Sequence, residues 1–125
     1  MVEQSDLDRQ IANGIDRIAL KARDRAAITE AVAVLRSRFS AESVTLYGSK
    51  AGGTDDAESD IDLLVLTSRA LAWRERAELI DALFDIGLAH GVVISPLVVP
   101  SIEWAQGRCS VLPIHDVIAS TGVPL

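Results

Sequence analysis

The chain has 125 residues, of which 49% are apolar, enough for one domain whose core needs no disulfide or structural metal. A formal net charge of −6 argues against DNA or RNA as the main partner, because phosphate backbones are bound by basic surfaces. The single cysteine, Cys109, excludes an intrachain disulfide, and no stretch is apolar over the roughly 20 residues that a membrane helix needs. Because the first residues are also too acidic for a secretory signal peptide, we expect a cytoplasmic protein that does not bind a membrane.

Residues 1–40 are predicted to form a helical N-terminal segment. Apolar residues recur there at spacings of three and four, as on one face of an α-helix. They are Leu7, Ile11, Ile15, Ile18 and Ala22, followed by Ile28, Val32, Leu35 and Phe39. Gly14 and the charged run Lys21–Arg25 interrupt the pattern, so one long helix and two shorter ones both remain open, with two favoured.

Residues 43–100 are predicted to form a core of sheet and helix. Three short apolar segments indicate strands. They are Val44–Tyr47, Asp60–Thr67 and Val92–Val99. Gly48–Glu58 is rich in Gly, Asp and Ser and indicates a loop with room for one helical turn. Leu71–His90 has the apolar stripe of an amphipathic helix, and Gly91 follows it where a C-terminal glycine stop belongs.

Residues 101–125 are predicted to add C-terminal helices. Ser101–Trp104 indicates a short helix, and Pro113–Ser120 a last one that ends at Gly122. The order of elements predicts a single domain over residues 1–125, of the α/β (α+β) class, with helices packed on a small mixed sheet.

Two short motifs in the core carry chemistry. A strand that runs directly into Gly48 and Ser49 can bring backbone N–H groups close to a phosphate, and the Ser49 hydroxyl can donate to the same oxygens. Asp60 and Asp62 are two residues apart on a predicted strand, so both carboxylates project from one face. Neighbouring carboxylates repel each other and are stabilised by a hard cation such as Mg²⁺. Together the motifs predict a site for a nucleoside triphosphate and a divalent metal.

The motifs and their spacing resemble those of the polymerase-β-like nucleotidyltransferase superfamily. Gly48-Ser49, ten intervening residues, and then Asp60-Ile61-Asp62-Leu63 is similar to its Gly-Ser…Asp-x-Asp motif, above all in the minimal, single-domain members. The resemblance implies the fold of that superfamily. It also implies that Gly48 and Ser49 bind the β- and γ-phosphates, and that Asp60 and Asp62 are catalytic and coordinate Mg²⁺ or Mn²⁺.

Three further positions bear on the predicted site: Lys50, Gly52 and Ser95. Lys50 is expected to face solvent, with a phosphate contact as the alternative. Many members of the superfamily have an arginine where this chain has Gly52. Members with full activity usually have a third carboxylate on the next core strand, but Val92–Val99 contains no acid, and Ser95 is the best alignment for that position. A neutral hydroxyl cannot replace a carboxylate as general base or metal ligand, so the acceptor would be poorly activated.

The resemblance implies transfer of a nucleoside monophosphate, expected to be AMP from ATP, to a hydroxyl on a protein or small molecule. Minimal members resemble antitoxins of HEPN-type toxins, so a toxin-like HEPN protein is the expected partner. The alternative function is a binding module that keeps the nucleotidyltransferase fold, has weakened catalysis, and acts by binding a partner protein.

Overall fold

The computed structural model describes residues 20–52 and 60–125. The predicted helical face from Leu7 to Ile18, the choice between one and two N-terminal helices, and the loop residues 53–58 lie outside the described residues.

The described residues form a mixed α/β structure. Its elements in chain order are α1 (Ala22–Arg38), β1 (Ala41–Tyr47), α2 (Ser49–Gly52), β2 (Ile61–Thr67), α3 (Trp73–His90), β3 (Ile94–Pro100), α4 (Ser101–Ala105), a 3₁₀ segment (Arg108–Val111), α5 (Pro113–Thr121) and β4 (Val123–Pro124). The predicted fold class is confirmed, and each predicted element of the described residues is present with small differences at its ends. Strand β4 was not predicted.

The four strands form one sheet in the order β3-β2-β1-β4. Strand β2 is antiparallel to β1 and parallel to β3, so it is interior, as its nearly continuous apolar sequence predicts. In this register Tyr47 lies opposite Asp62, and Asp62 lies beside Ser95. The sheet therefore brings the end of β1 and the starts of β2 and β3 together at one edge.

One face of the sheet is covered by α1 and α3. Buried apolar residues recur at helical spacing along both helices, which is why each packs a single stripe on the sheet. In the helices they are Ala27, Ile28, Ala31, Val32, Leu35, Leu79, Leu83 and Ile86, and in the sheet Val44, Leu46, Ile61, Leu63 and Val65. Gly91 ends α3 in the left-handed conformation (φ +70°), as predicted. The Val92 N–H donates to the Gly87 carbonyl at 2.9 Å, so β3 begins two residues later than expected.

Among residues 20–52 and 60–125, the elements that pack on the opposite face are the C-terminal ones. Ile118 of α5 packs with Leu64 and Val99, and the Trp104 ring stacks on His115 with 4.5 Å between ring centroids. Asp62 lies two residues before Leu64, hence on this same face, and is only partly buried. Asp60 precedes the same strand and lies near Asp62 at this end of the sheet.

In the ranges 20–52 and 60–125, no helix is both long enough and apolar enough to cross a membrane.

Candidate nucleotide and metal site

The turn after β1 is formed by Gly48 and is in direct contact with an acid of β2. Gly48 has φ +76°, a left-handed conformation that glycine adopts without the strain of other residues. A Cβ at this position would overlap with Oδ2 of Asp62. Ser49 follows at once and begins α2, a single helical turn as the sequence allowed. The geometry therefore places the predicted phosphate-binding turn against a predicted metal ligand.

The two predicted carboxylates lie together at the start of β2. Asp60 precedes the strand and is exposed, while Asp62 is its second residue. The pKa of Asp62 is raised above its ordinary value of 3.8, first by burial and then by the negative charge of Asp60. The carboxylates are thus close enough to repel each other, and a nearby cation would relieve that repulsion.

Ser95 of β3 lies next to the two acids at this edge of the sheet. Its hydroxyl donates a hydrogen bond to Oδ2 of Asp60 at 3.2 Å, and its strand register places it beside Asp62. The structure thus puts Ser95 next to both acids, where the resemblance leads us to look for a third carboxylate. Its hydroxyl orients Asp60 but brings no negative charge.

The residues present suit a hard divalent cation shared with a nucleotide. The described part of the chain contains no cluster of three or more His, Cys, Asp or Glu side chains that could hold a metal by itself. Mg²⁺, however, is commonly bound by one or two carboxylates together with substrate phosphates and water. Asp60 and Asp62 would supply those two oxygen ligands, and burial together with the charge of Asp60 raises the pKa of Asp62.

The expectation of a solvent-facing Lys50 is wrong. The side chain is fully buried, and its Nζ forms an ion pair with Oδ2 of Asp24 at 2.9 Å. The physical reason is a partner in α1, distant in sequence, that compensates the buried ammonium charge. The phosphate contact suggested for Lys50 stays a prediction.

Two residues near the site were missed by the sequence reasoning. Tyr47 faces Asp62 across the β1–β2 pair, and the pKa of its hydroxyl is raised by burial and by the charge of Asp62. The alternation of β1 could have identified Tyr47, because a correct register between the strands places it opposite the acid. No local signal pointed to Asp24, which lies inside a charged run.

Residues 29–97, more than half of the chain, match the sequence model of the family described as "Polymerase beta, Nucleotidyltransferase". The chain belongs to this nucleotidyltransferase family. The matched range of this nucleotidyltransferase-family protein includes all the residues described at the site, namely Gly48, Ser49, Asp60, Asp62 and Ser95.

Two individual proteins are also similar to this member of the family. A protein of Methanocaldococcus jannaschii with the name "Putative protein adenylyltransferase" is 33% identical over 57 residues, which is 46% of this chain and 58% of that relative's length. The solved "Crystal structure of the toxin-antitoxin with AMP-PNP" contains a chain with a TM-score of 0.56 and 19% identity, over 83% of this chain and 72% of that one. At that identity the likeness shows a shared fold.

Proposed function

We propose that this protein is an enzyme that transfers AMP from ATP to a hydroxyl of a protein or small-molecule acceptor. The observation that carries the proposal is the contact between the Gly48 turn and the Asp62 carboxylate, with Asp60 beside it. In this arrangement the β- and γ-phosphates bind at Gly48 and Ser49. Asp60 and Asp62 would hold Mg²⁺ or Mn²⁺, which would supply positive charge to the phosphates.

In the proposed reaction the acceptor oxygen bonds to the α-phosphorus while the bond to pyrophosphate breaks. The divalent ion supplies charge stabilisation for the oxygens of the transferred and leaving groups. The absent side chain at Gly48 lets phosphate approach the backbone, Ser49 donates its hydroxyl, and the carboxylates fix the orientation. Because Ser95 cannot act as a base, the acceptor proton leaves to solvent. Phosphoryl-type transfer depends mainly on positioning and electrostatics, so activity at a reduced rate is compatible with this site.

Charge and likeness favour ATP as donor and a protein as acceptor. With 18 acidic and 12 basic residues, the chain suits a basic protein better than a nucleic acid. The similar M. jannaschii protein bears the name of a protein adenylyltransferase, and the structural neighbour belongs to a toxin–antitoxin complex with AMP-PNP. We therefore propose a cytoplasmic antitoxin that modifies a HEPN-type toxin.

The test is label transfer to a candidate toxin partner in the presence of Mg²⁺. Label from ATP carrying ³²P at the α-phosphate should appear on the acceptor, whereas label at the γ-phosphate should leave as pyrophosphate. Transfer of γ-label would identify a kinase and contradict the proposal.

In the same assay, Ser95→Asp is expected to increase the transfer rate by about tenfold or more, since a general base contributes roughly 10²–10⁴-fold. The matched control is Ser95→Asn. Asparagine is polar and nearly the same size as aspartate but has no negative charge, so this variant should not increase the rate. An unchanged or lower rate in a folded Ser95→Asp protein would contradict the assignment of position 95.

A second candidate, the binding module, is favoured by an exposed apolar surface on α3 as well as by the neutral Ser95. We call this the α3 surface, and it consists of four residues of α3 and one that follows the helix: Trp73, Ile80, Phe84, Leu88 and Val93. Three of these side chains are more than 60% exposed: Trp73 (74%), Phe84 (63%) and Leu88 (66%). A cavity of about 160 Å³ is lined by Ile80, Phe84, Leu88 and Val93, among other residues. Apolar side chains grouped in this way on a surface are typical of protein interaction sites.

The two candidates predict opposite results for inhibition of a toxin partner. If the protein acts as a module, Leu88→Glu should abolish inhibition and Asp62→Asn should preserve it. If it acts as an enzyme, Asp62→Asn should abolish inhibition. Asp85→Ser, an exposed change on the acidic side of the same helix, is the control and should leave inhibition intact in either case.

A further inference from the structure

A buried ion pair lies directly behind the candidate phosphate-binding turn. Nζ of Lys50 in α2 is 2.9 Å from Oδ2 of Asp24 in the first turn of α1, and each side chain is only 1% exposed. Lys50 is the residue after Ser49. The pair therefore links the turn to the first turn of a long helix that is itself packed on the sheet.

The pair is poorly suited to a purely stabilising role. Removing two charges from water is costly, and apolar residues of similar volume often stabilise a fold as well or better. Oδ1 of Asp24 is also buried, and it has no hydrogen-bond partner in residues 20–52 and 60–125. Asp24 lies in the first turn of α1, where the helix dipole interacts favourably with a negative charge.

Helix α2 needs an anchor of this kind. It has four residues, Ser49–Gly52, and so short a helix is not stable without tertiary contacts. Because Gly48 already touches Asp62, a small rotation of α2 would change how the turn and the carboxylates face a shared ligand. A misplacement of about 1 Å can cost an enzyme on the order of 10²-fold in rate.

We propose that Asp24 is a positioning residue which, through Lys50, holds the Gly48–Ser49 turn at the correct distance from Asp60 and Asp62 for Mg²⁺ and triphosphate to bind together. This role rests on the proposed function, because it concerns binding of Mg²⁺ and ATP at the same site. Asp24 itself touches neither ligand.

The test measures ATP affinity in the presence of Mg²⁺ by isothermal titration, at a temperature at which circular dichroism shows every variant folded. Asp24→Asn keeps the size of the side chain and removes its charge. We expect ATP affinity to fall by about tenfold or more, because the turn loses its preorganisation. Glu75→Gln, which breaks the exposed Arg69–Glu75 pair, is the matched control and should bind ATP as the wild type does.

A second variant, Asp24→Leu with Lys50→Met, replaces the pair by apolar residues in case Asp24→Asn does not fold. We expect it to be as stable as the wild type and to lose ATP affinity by a similar factor. Wild-type affinity in either folded variant would overturn the positioning role while leaving the proposed function intact. If Asp24→Asn binds ATP normally and only the double variant binds weakly, the effect belongs to Lys50. That result would also overturn the positioning role of Asp24. Failure of the wild-type protein to bind ATP with Mg²⁺ would overturn the proposed function itself.

Discussion

Asp62→Asn is expected to reduce nucleotidyl transfer by at least about 10²-fold, since metal-ion catalysis contributes several kcal/mol and each 1.36 kcal/mol is tenfold in rate. The same substitution should raise the melting temperature of the protein measured without metal. The reason is that the Asp62 charge is disfavoured by burial and by Asp60, and asparagine removes it with almost no change in shape. Activity and stability should therefore change in opposite directions.

The gain in stability should depend on pH. The pKa of Asp62 is higher in the folded protein than its ordinary value of 3.8, so the folded state binds the proton more tightly than the unfolded state. The charged carboxylate therefore destabilises the fold above the folded pKa, and this penalty is lost as the pH falls through that pKa. Thermal melts of wild type and Asp62→Asn should differ at pH 7 and converge in acid.

Asp81→Asn, an exposed change on α3, is the control and should leave both transfer and this pH dependence unaffected. Equal melting temperatures of wild type and Asp62→Asn at pH 7 would contradict the repulsion described for the two acids. Full activity of Asp62→Asn would contradict its role as metal ligand.

Gly48→Ala adds one methyl group and is expected to reduce stability and ATP binding more than the same addition elsewhere in the site. Alanine at φ +76° costs about 1–2 kcal/mol of conformational strain, and its Cβ would in addition overlap with Oδ2 of Asp62. The carboxylate must move away, so Mg²⁺-dependent ATP binding should be lost as well as stability. Denaturant unfolding and isothermal titration measure the two effects.

Gly91→Ala is the control, because it introduces the backbone strain of a positive φ without overlap of the added Cβ with another side chain. Gly91 has a nearly equal φ of +70°, but no atom of the described residues lies within 4 Å of an added Cβ. We expect this variant to lose about 1 kcal/mol of stability and to bind ATP normally. If Gly48→Ala behaved like Gly91→Ala in both measurements, contact between the turn and Asp62 would not matter for binding.

Much of the fold could be predicted because its signals are local. The stripe along α3, its glycine stop at Gly91 and the continuous apolar run of β2 each depend on residues close in sequence. The interior position of β2 followed from that run as well, because a strand buried on both faces has no polar alternation. The acids could be placed on one face from their spacing alone.

The differences arise where distant contacts decide the outcome. Lys50 is buried because Asp24, 26 residues earlier, compensates its charge, and nothing beside Lys50 in the sequence indicates this. Strand β4 has two residues, Val123 and Pro124, which are too few for any periodic pattern. It exists because the C-terminal chain reaches Thr45 and Leu46 of β1. The Gly48–Asp62 contact likewise needed the strand register before it could be seen.

The central position of β2 has a consequence for how ligand binding can be observed. Its backbone is paired on both sides, so its amide hydrogens should exchange with deuterium mainly through global opening. The amides of α2 belong to one short turn and should exchange through local opening. Slowed exchange confined to α2 on addition of ATP would thus mark occupancy directly, against an internal reference in the strand that holds Asp62.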